Sequence, residues 1–353
     1  MEFLQLIEKL SNARGTSGFE DEVIEIAREY CRDFATFEED SMRNLYIYPK
    51  YNRGNRPLVM LDAHADEVGF IVQAIKPNGT LRFLPLGTWN EKALASSRVQ
   101  VRTKNGYIPG VISAIPPHFL TEAQRLSPVN YDGLWIDIGA NSDKETKELG
   151  VDTGAPVVPL TPFEYDRERG LLYGKAFDDR LGVAALLEVL KKLRNTPLNV
   201  DIVGVISAQE EVGMRGIKAV MGNIKPDAAI CLEGCPADDT FTPDYLVQDR
   251  LRCGVMVRHY DTSVICTPRF VAFTEEVAEK SGVKVQMAVR SGGGNNGAYI
   301  VSANGGTPVI VAGVPVRYIH TCHCIAAMED VTANIDLVIA LCKQLNEKTI
   351  KAF

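Results

Sequence analysis

Five polar clusters hold most of the side chains in this sequence that can do chemistry: DAHADEVG (62–69), GKAFDDRLG (174–182), SAQEEVGMRG (207–216), CLEGCPADD (231–239) and RYIHTCHC (317–324). Each supplies histidine, carboxylates or both, and each stands at or just after an apolar run that reads as a strand. Singly they have bland explanations, because a histidine near a strand end is usually a hydrogen-bonded structural residue. Together they contain what a two-metal hydrolytic centre needs. Two cations about 3.5–4 Å apart require a bridging carboxylate, terminal His and carboxylate ligands, and a nearby free carboxylate to move protons.

Within the clusters the roles divide by chemistry. His64 is followed two residues later by Asp66, and a carboxylate accepting a hydrogen bond from a ligating imidazole fixes its tautomer and raises its basicity; the alternative for Asp66 is a surface turn. Asp178-Asp179 precedes a helical pattern, so the first carboxylate can bridge two ions while the second braces the turn, or the pair is an ordinary N-cap. Glu210-Glu211 follows the apolar strand Val203 to Ile206, where adjacent carboxylates are costly unless a cation compensates. One of them can bind metal while the other takes a proton from water and delivers it to a leaving amine. Paired carboxylates such as Glu210 and Glu233 also admit a glycosidase reading. His118 and His259 lie outside these clusters and receive no role. The glycines at 292–294 lack the lysine and spacing of a phosphate cradle and read as a substrate-side loop.

The elements that must position these groups follow from periodicity. Phe3, Leu6, Ile7 and Leu10, then Val23, Ala27 and Cys31 after the turn at Gly15-Thr16-Ser17-Gly18, predict two opening helices. A strand is expected near Asn44 to Tyr48, and Leu58 to Leu61 reads as a buried strand ending in polar residues. From about Val68 to Pro162 the texture changes to short β-type runs broken by Pro77-Asn78-Gly79, Asn105-Gly106 and Asp132-Gly133, which predicts a small all-β barrel. Helical periodicity returns at Leu181 to Leu193. Strands at Val200 to Ser207, Ala228 to Leu232, Val283 to Val289 and Pro308 to Ala312 then alternate with helices up to a last one at Asp330 to Glu347. The prediction is one α/β domain, residues 1–67 plus 166–353, interrupted by a β-barrel domain at 68–165.

The 353 residues exceed the size at which one core usually stops growing. A net charge of −7 argues against a phosphate backbone as partner, so nucleic-acid binding is not expected. Neither a secretory signal pattern nor a membrane-length apolar run is present, which predicts a cytoplasmic protein without membrane contact. The eight cysteines are scattered and read as reduced, buried hydrophobes.

The chain resembles the metalloaminopeptidase family that includes the TET aminopeptidases, through DAHADEVGF, GKAFDDRLG, SAQEEVGMRGIKA, the acidic position after the strand ending at Leu232, and VPVRYIH, in family order over nearly the whole chain. The resemblance implies a mixed-sheet, three-layer α/β metallopeptidase fold. It implies one metal held by His64, Asp178 and Glu233, a second by Asp178, Glu211 and His320, Glu210 as general base and Asp66 orienting His64. His320 is preferred to His323 as the ligand on the match of Arg317-Tyr318-Ile319-His320. The two divalent ions would be zinc, with cobalt or manganese as alternatives. The Asp-Asp peptide bond is often cis in similar proteins. The inserted barrel resembles an oligomerisation domain, implying a homo-oligomer built from dimers, as large as a dodecamer, that acts on peptides.

Three departures from the family pattern stand out: Glu233 where Asp is usual, Asn295 and Asn296 in SGGGNNGAY where Thr-Asp is usual, and Cys322-His323-Cys324 where Ser-Pro is usual. The second of these removes a carboxylate near the expected substrate pocket and leaves room for a deacylase acting on small N-substituted compounds. A scaffold that has lost its chemistry is the non-enzymatic alternative.

Overall fold

The computed structural model describes residues 1–123 and 130–353. Its centre is a sheet of eleven strands. Four of them run parallel side by side: Asp201–Ser207, Leu58–His64, Ala228–Pro236 and Val309–Arg317. Antiparallel strands flank this core, Ala35–Glu39 and Leu45–Pro49 on one side, Cys324–Ala327, Leu171–Gly174 and Glu164–Asp166 on the other. Residues 58–64 and 201–207 are almost entirely buried, because helices cover both faces of a parallel sheet and leave no polar side.

The longest covering helices are Phe177–Leu193 and Met328–Gln344. The first is buried nearly all round, as its run of Leu, Val and Ala requires. Its regular turns begin only after Asp178 and Asp179, whose backbone angles are not helical and whose shared peptide bond is cis.

Residues 69–159 contribute a separate closed barrel of six antiparallel strands: Gly69–Ile75, Leu81–Leu86, Arg98–Thr103, Gly106–Ser113, Trp135–Asp137 and Pro156–Pro159. Closure removes the unpaired edges that an open sheet of this length would expose. Phe70 stacks on Trp89 at 4.7 Å and meets Phe83 edge-on at 5.0 Å in its core. The expected turns at Asn78-Gly79 and Asn105-Gly106 do connect hairpins.

Several expectations need correction. Glu233 does not follow its strand but lies within it, because pairing with Val309–Arg317 carries the ladder on to Pro236 and sets Glu233 opposite Gly313. The Pro308 to Ala312 strand likewise extends to Arg317. The last helix ends at Gln344, and a short helix, Glu347–Ile350, follows. Val255–Tyr260, absent from the sequence reading, pairs antiparallel to Val309–Arg317 and parallel to Val285–Val289.

Candidate metal centre

Parallel register decides where the polar residues emerge. His64 is level with Ser207, and Asp62 with Cys231, so the same parallel register sets Glu233 level with His64, where the strands Leu58–His64 and Asp201–Ser207 end. Active sites of open α/β sheets form at this edge. The turn at Asp178 closes over it from the next helix. Gly234 makes that approach possible, since a Cβ there would lie 2.6 Å from the Phe177 carbonyl oxygen and 2.7 Å from Asp178 Cα.

The side chains converge on Asp178 from two directions. Its Oδ1 lies 3.1 Å from His64 Nε2, which is 3.8 Å from Glu233 Oε2. Its Oδ2 lies 3.3 Å from His320 Nε2, which is 3.4 Å from Glu211 Oε2. Ligand bonds of about 2.0–2.1 Å in a tetrahedron put donor atoms about 3.3 Å apart, so the second set has the spacing of a cation's shell and the first is slightly wider. The two trios, His64–Asp178–Glu233 and Asp178–Glu211–His320, share only Asp178.

The electrostatics fit a cation. Burial pushes Glu211 and Glu233 well above the usual carboxylate range, and Glu211 Oε1 is enclosed without a hydrogen-bond partner among the described residues. Burial likewise lifts Glu210 to about 7. Burial opposes ionisation of Asp178 too, but hydrogen bonds from His320 and His64 outweigh it and hold this carboxyl below its ordinary value. Both imidazoles move the other way. Burial would lower His64, yet bonding to Asp178 and Asp66 raises it well above normal, and Glu211 and Asp178 overcome burial to lift His320 to about 9. A divalent ion held here would supply the positive charge that these buried carboxylates call for.

A second layer holds these groups in place. His64 Nδ1 lies 3.1 Å from the Asp66 carbonyl oxygen and 3.4 Å from Asp66 Oδ1, which leaves Nε2 to face Asp178. Asp179 accepts from the backbone N–H groups of His64 and Gly182, bracing the turn as its position suggested. Lys175 and Arg180 both meet buried Glu67, and Arg180 also donates to the Ala65 carbonyl beside His64. Left-handed backbone at Ala176, Gln209, Met214, Tyr318 and His320 surrounds the centre, and such non-glycine conformations cluster where structure must over-determine geometry.

The centre opens into a cavity of ≈ 510 Å³ that also touches Thr88, Met214, Arg258 and the glycines at 292–294. The glycine loop therefore lies beside the cleft. Asn296 does not: it is buried, donating to Asp62 and Ser207 beneath the strand ends, while Asn295 lines the cleft and donates to Asp261. His323 is exposed, away from the trios that take up His320. All eight cysteines are free thiols, and Cys322 packs into the barrel core. The sequence reading missed Arg258, which lines the cleft, and Ser17, whose hydroxyl donates to Asp66.

The model of the M42 glutamyl aminopeptidase family matches residues 44–337. A glutamyl aminopeptidase of Lactococcus lactis subsp. cremoris is 31% identical, with 99% of this chain and 98% of that protein covered. The crystal structure of a TET aminopeptidase from the marine sediment archaeon Thaumarchaeota archaeon SCGC AB-539-E09 superposes with a TM-score of 0.96 at 34% identity, covering 99% of this chain and 98% of that one. The TET1 peptidase of Pyrococcus horikoshii, described as able to assemble into a tetrahedron or a large octahedral shell, gives a TM-score of 0.87 at 28% identity, covering 98% of this chain and 100% of that one.

Proposed function

The chain belongs to the M42 family of metal-dependent aminopeptidases, and from that premise we propose that it removes N-terminal residues from peptides at a dinuclear centre bridged by Asp178. The observation that carries this reading is the division of one carboxylate between two trios: Oδ1 faces His64 and Glu233 faces the same imidazole, while Oδ2 faces His320 beside Glu211. Zinc is the metal proposed, and cobalt or manganese would suit the same donors. Bound there, two divalent cations would polarise the scissile carbonyl and lower the pKa of water.

The remaining work falls to the protein. Glu210 lines the cleft, belongs to neither trio and has a carboxyl lifted to about 7, so it can take a proton from water and pass it to the departing amine near neutral pH. Asp66 keeps His64 in the tautomer whose Nε2 faces inward. The surplus of carboxylates at the cleft floor favours a free α-ammonium group, which restricts attack to chain ends. Residues 68–165, with the barrel, are proposed as the assembly module of a dimer-based homo-oligomer as large as a dodecamer. Among the described residues no helix is long and apolar enough to cross a membrane. A cytoplasmic site of action is proposed with it.

A metal-reconstituted screen of aminoacyl substrates against N-acyl amino acids, with native mass measured on the same sample, tests the reaction class and the assembly together. Glu210→Gln should lower kcat by roughly 10²–10⁴-fold with metal content unchanged. A metal-replete Glu210→Gln enzyme with parental turnover would contradict the base assignment.

A further inference from the structure

Three consecutive backbone N–H groups in the segment that carries Glu210 end on carboxylates. Gln209 N–H donates to Glu20 Oε1 at 3.1 Å, Glu210 N–H to Asp66 Oδ1 at 2.9 Å, and Glu211 N–H to Asp66 Oδ2 at 3.1 Å. Asp66 Oδ2 also accepts from the Ser17 hydroxyl at 2.6 Å, and Glu20 Oε1 from the Gly18 N–H at 2.8 Å. One short turn, Ser17-Gly18-Phe19-Glu20, thus holds the loop after Asp201–Ser207, directly through Glu20 and by way of Asp66 through Ser17.

The grip matters because of the backbone it acts on. Gln209 is held at φ 55, a left-handed conformation that a non-glycine residue keeps only when its surroundings enforce it. The peptide that leaves Gln209 leads directly to Glu210, so rotation at 209 would swing the Glu210 carboxylate across the cleft. Glu20 is 1% exposed, and its Oε2 is buried with no hydrogen-bond partner among the described residues. A buried carboxylate with one oxygen unsatisfied is a poor way to build a core, so its place is accounted for by the N–H groups of Gly18 and Gln209 that its other oxygen accepts.

We infer that Glu20 is a positioning residue for the general base: by accepting the Gln209 N–H it fixes the left-handed turn that aims Glu210 at the reacting centre. The inference rests on the assignment of Glu210 as base. Asp66 restrains the next two N–H groups and also reaches His64, so its loss would disturb ligand and base alike. Among the described residues, the loop N–H that Glu20 accepts is that of Gln209, and it makes no hydrogen bond to His64, so its loss bears on the base more than on the ligand.

Kinetics and metal analysis of the full-length enzyme provide the test. Glu20→Ala should lower kcat by about 10–100-fold, the size expected when a catalytic group is misplaced by about 1 Å, with KM and metal content at parental values. Glu20→Gln keeps the Oε1 acceptor and should recover most of that loss. Glu20→Asp, one methylene too short to reach, should behave like Glu20→Ala and serves if the alanine variant does not fold. In a Glu210→Gln background Glu20→Ala should cost nothing further, because it acts through the group already removed. Parental kcat in both Glu20→Ala and Glu20→Asp overturns the inference, as does a fall in metal content or equal damage from Glu20→Gln. An undiminished Glu20 effect in the Glu210→Gln background also overturns it. If Glu210→Gln alone keeps parental turnover, it is the base assignment that fails.

Discussion

The two halves of the centre rest on different foundations. His64 and Glu233 belong to paired parallel strands, are 1% and 7% exposed, and inherit their positions from the sheet register. Glu211 and His320 sit in connecting segments, beside left-handed residues at 209, 214, 318 and 320, and the His320 side chain is 29% exposed. The loop-borne pair is held by local braces instead. Asp66 restrains the Glu211 backbone, and around His320 the Thr321 hydroxyl donates within its own loop while Cys322 plugs into the barrel. Ligands on regular elements are preorganised by the scaffold, whereas ligands on loops depend on every brace being present. The strand-borne position should therefore bind its cation more tightly than the loop-borne one.

Removing what the halves share has the largest expected effect. Asp178→Ala should abolish both metals and all measurable turnover; metal analysis showing one tightly held ion would mean that the halves do not depend on this carboxylate. Next, His64→Ala and His320→Ala should differ. The first should lose the tighter ion and collapse activity, while the second should retain one ion and lose only the weaker. Equal residual stoichiometry in the two variants would erase the distinction. Chelator titration of the parent should remove the ions in two steps, the loop-borne one first, and a single cooperative step would argue that the trios behave as one.

Proton release sharpens the comparison further. His320 is lifted to about 9 when its partners are carboxylates alone, so at pH 7 the metal-free imidazole is protonated and a cation must displace that proton. Affinity at the loop-borne position should then strengthen as pH rises towards about 9 and weaken as pH falls, with protons released on binding. Calorimetry in buffers of differing ionisation heat reads this directly, and zero proton release would contradict it. The smallest effect is expected from Cys322→Ser, which buries a hydroxyl in the apolar barrel core at a cost of about 1–3 kcal/mol. It should weaken the loop-borne ion several-fold and leave the strand-borne one alone.

How much of this was legible in the sequence depended on the kind of signal. The parallel strands announce themselves as short apolar runs, and the polar clusters at their ends mark the centre, because burial on both faces writes itself directly into residue type. The barrel was visible through its turns. Pairing beyond the apolar run was not: nothing in Cys231 to Pro236 says that the ladder passes through Glu233, since that follows from the partner strand. Val255–Tyr260 carries Arg258 and His259 in a strand, which masked it. Glu20 drew no attention in the sequence because its partner, the Gln209 N–H, lies 189 residues away. Asn296 looked substrate-facing for the same reason, its partners Asp62 and Ser207 being remote in the chain.

The bare backbone at Gly234 has a consequence for variation. The Phe177-Asp178 backbone takes the volume that a side chain at 234 would need, so the approach of one residue is decided by the absence of atoms at another, 56 places further along. Even the smallest side chain there would wedge the helix head outward and separate the donor sets, with no ligand altered. Substitution records at 234 should thus read as catalytic constraint, although the residue has nothing with which to bind, donate or accept beyond its own peptide.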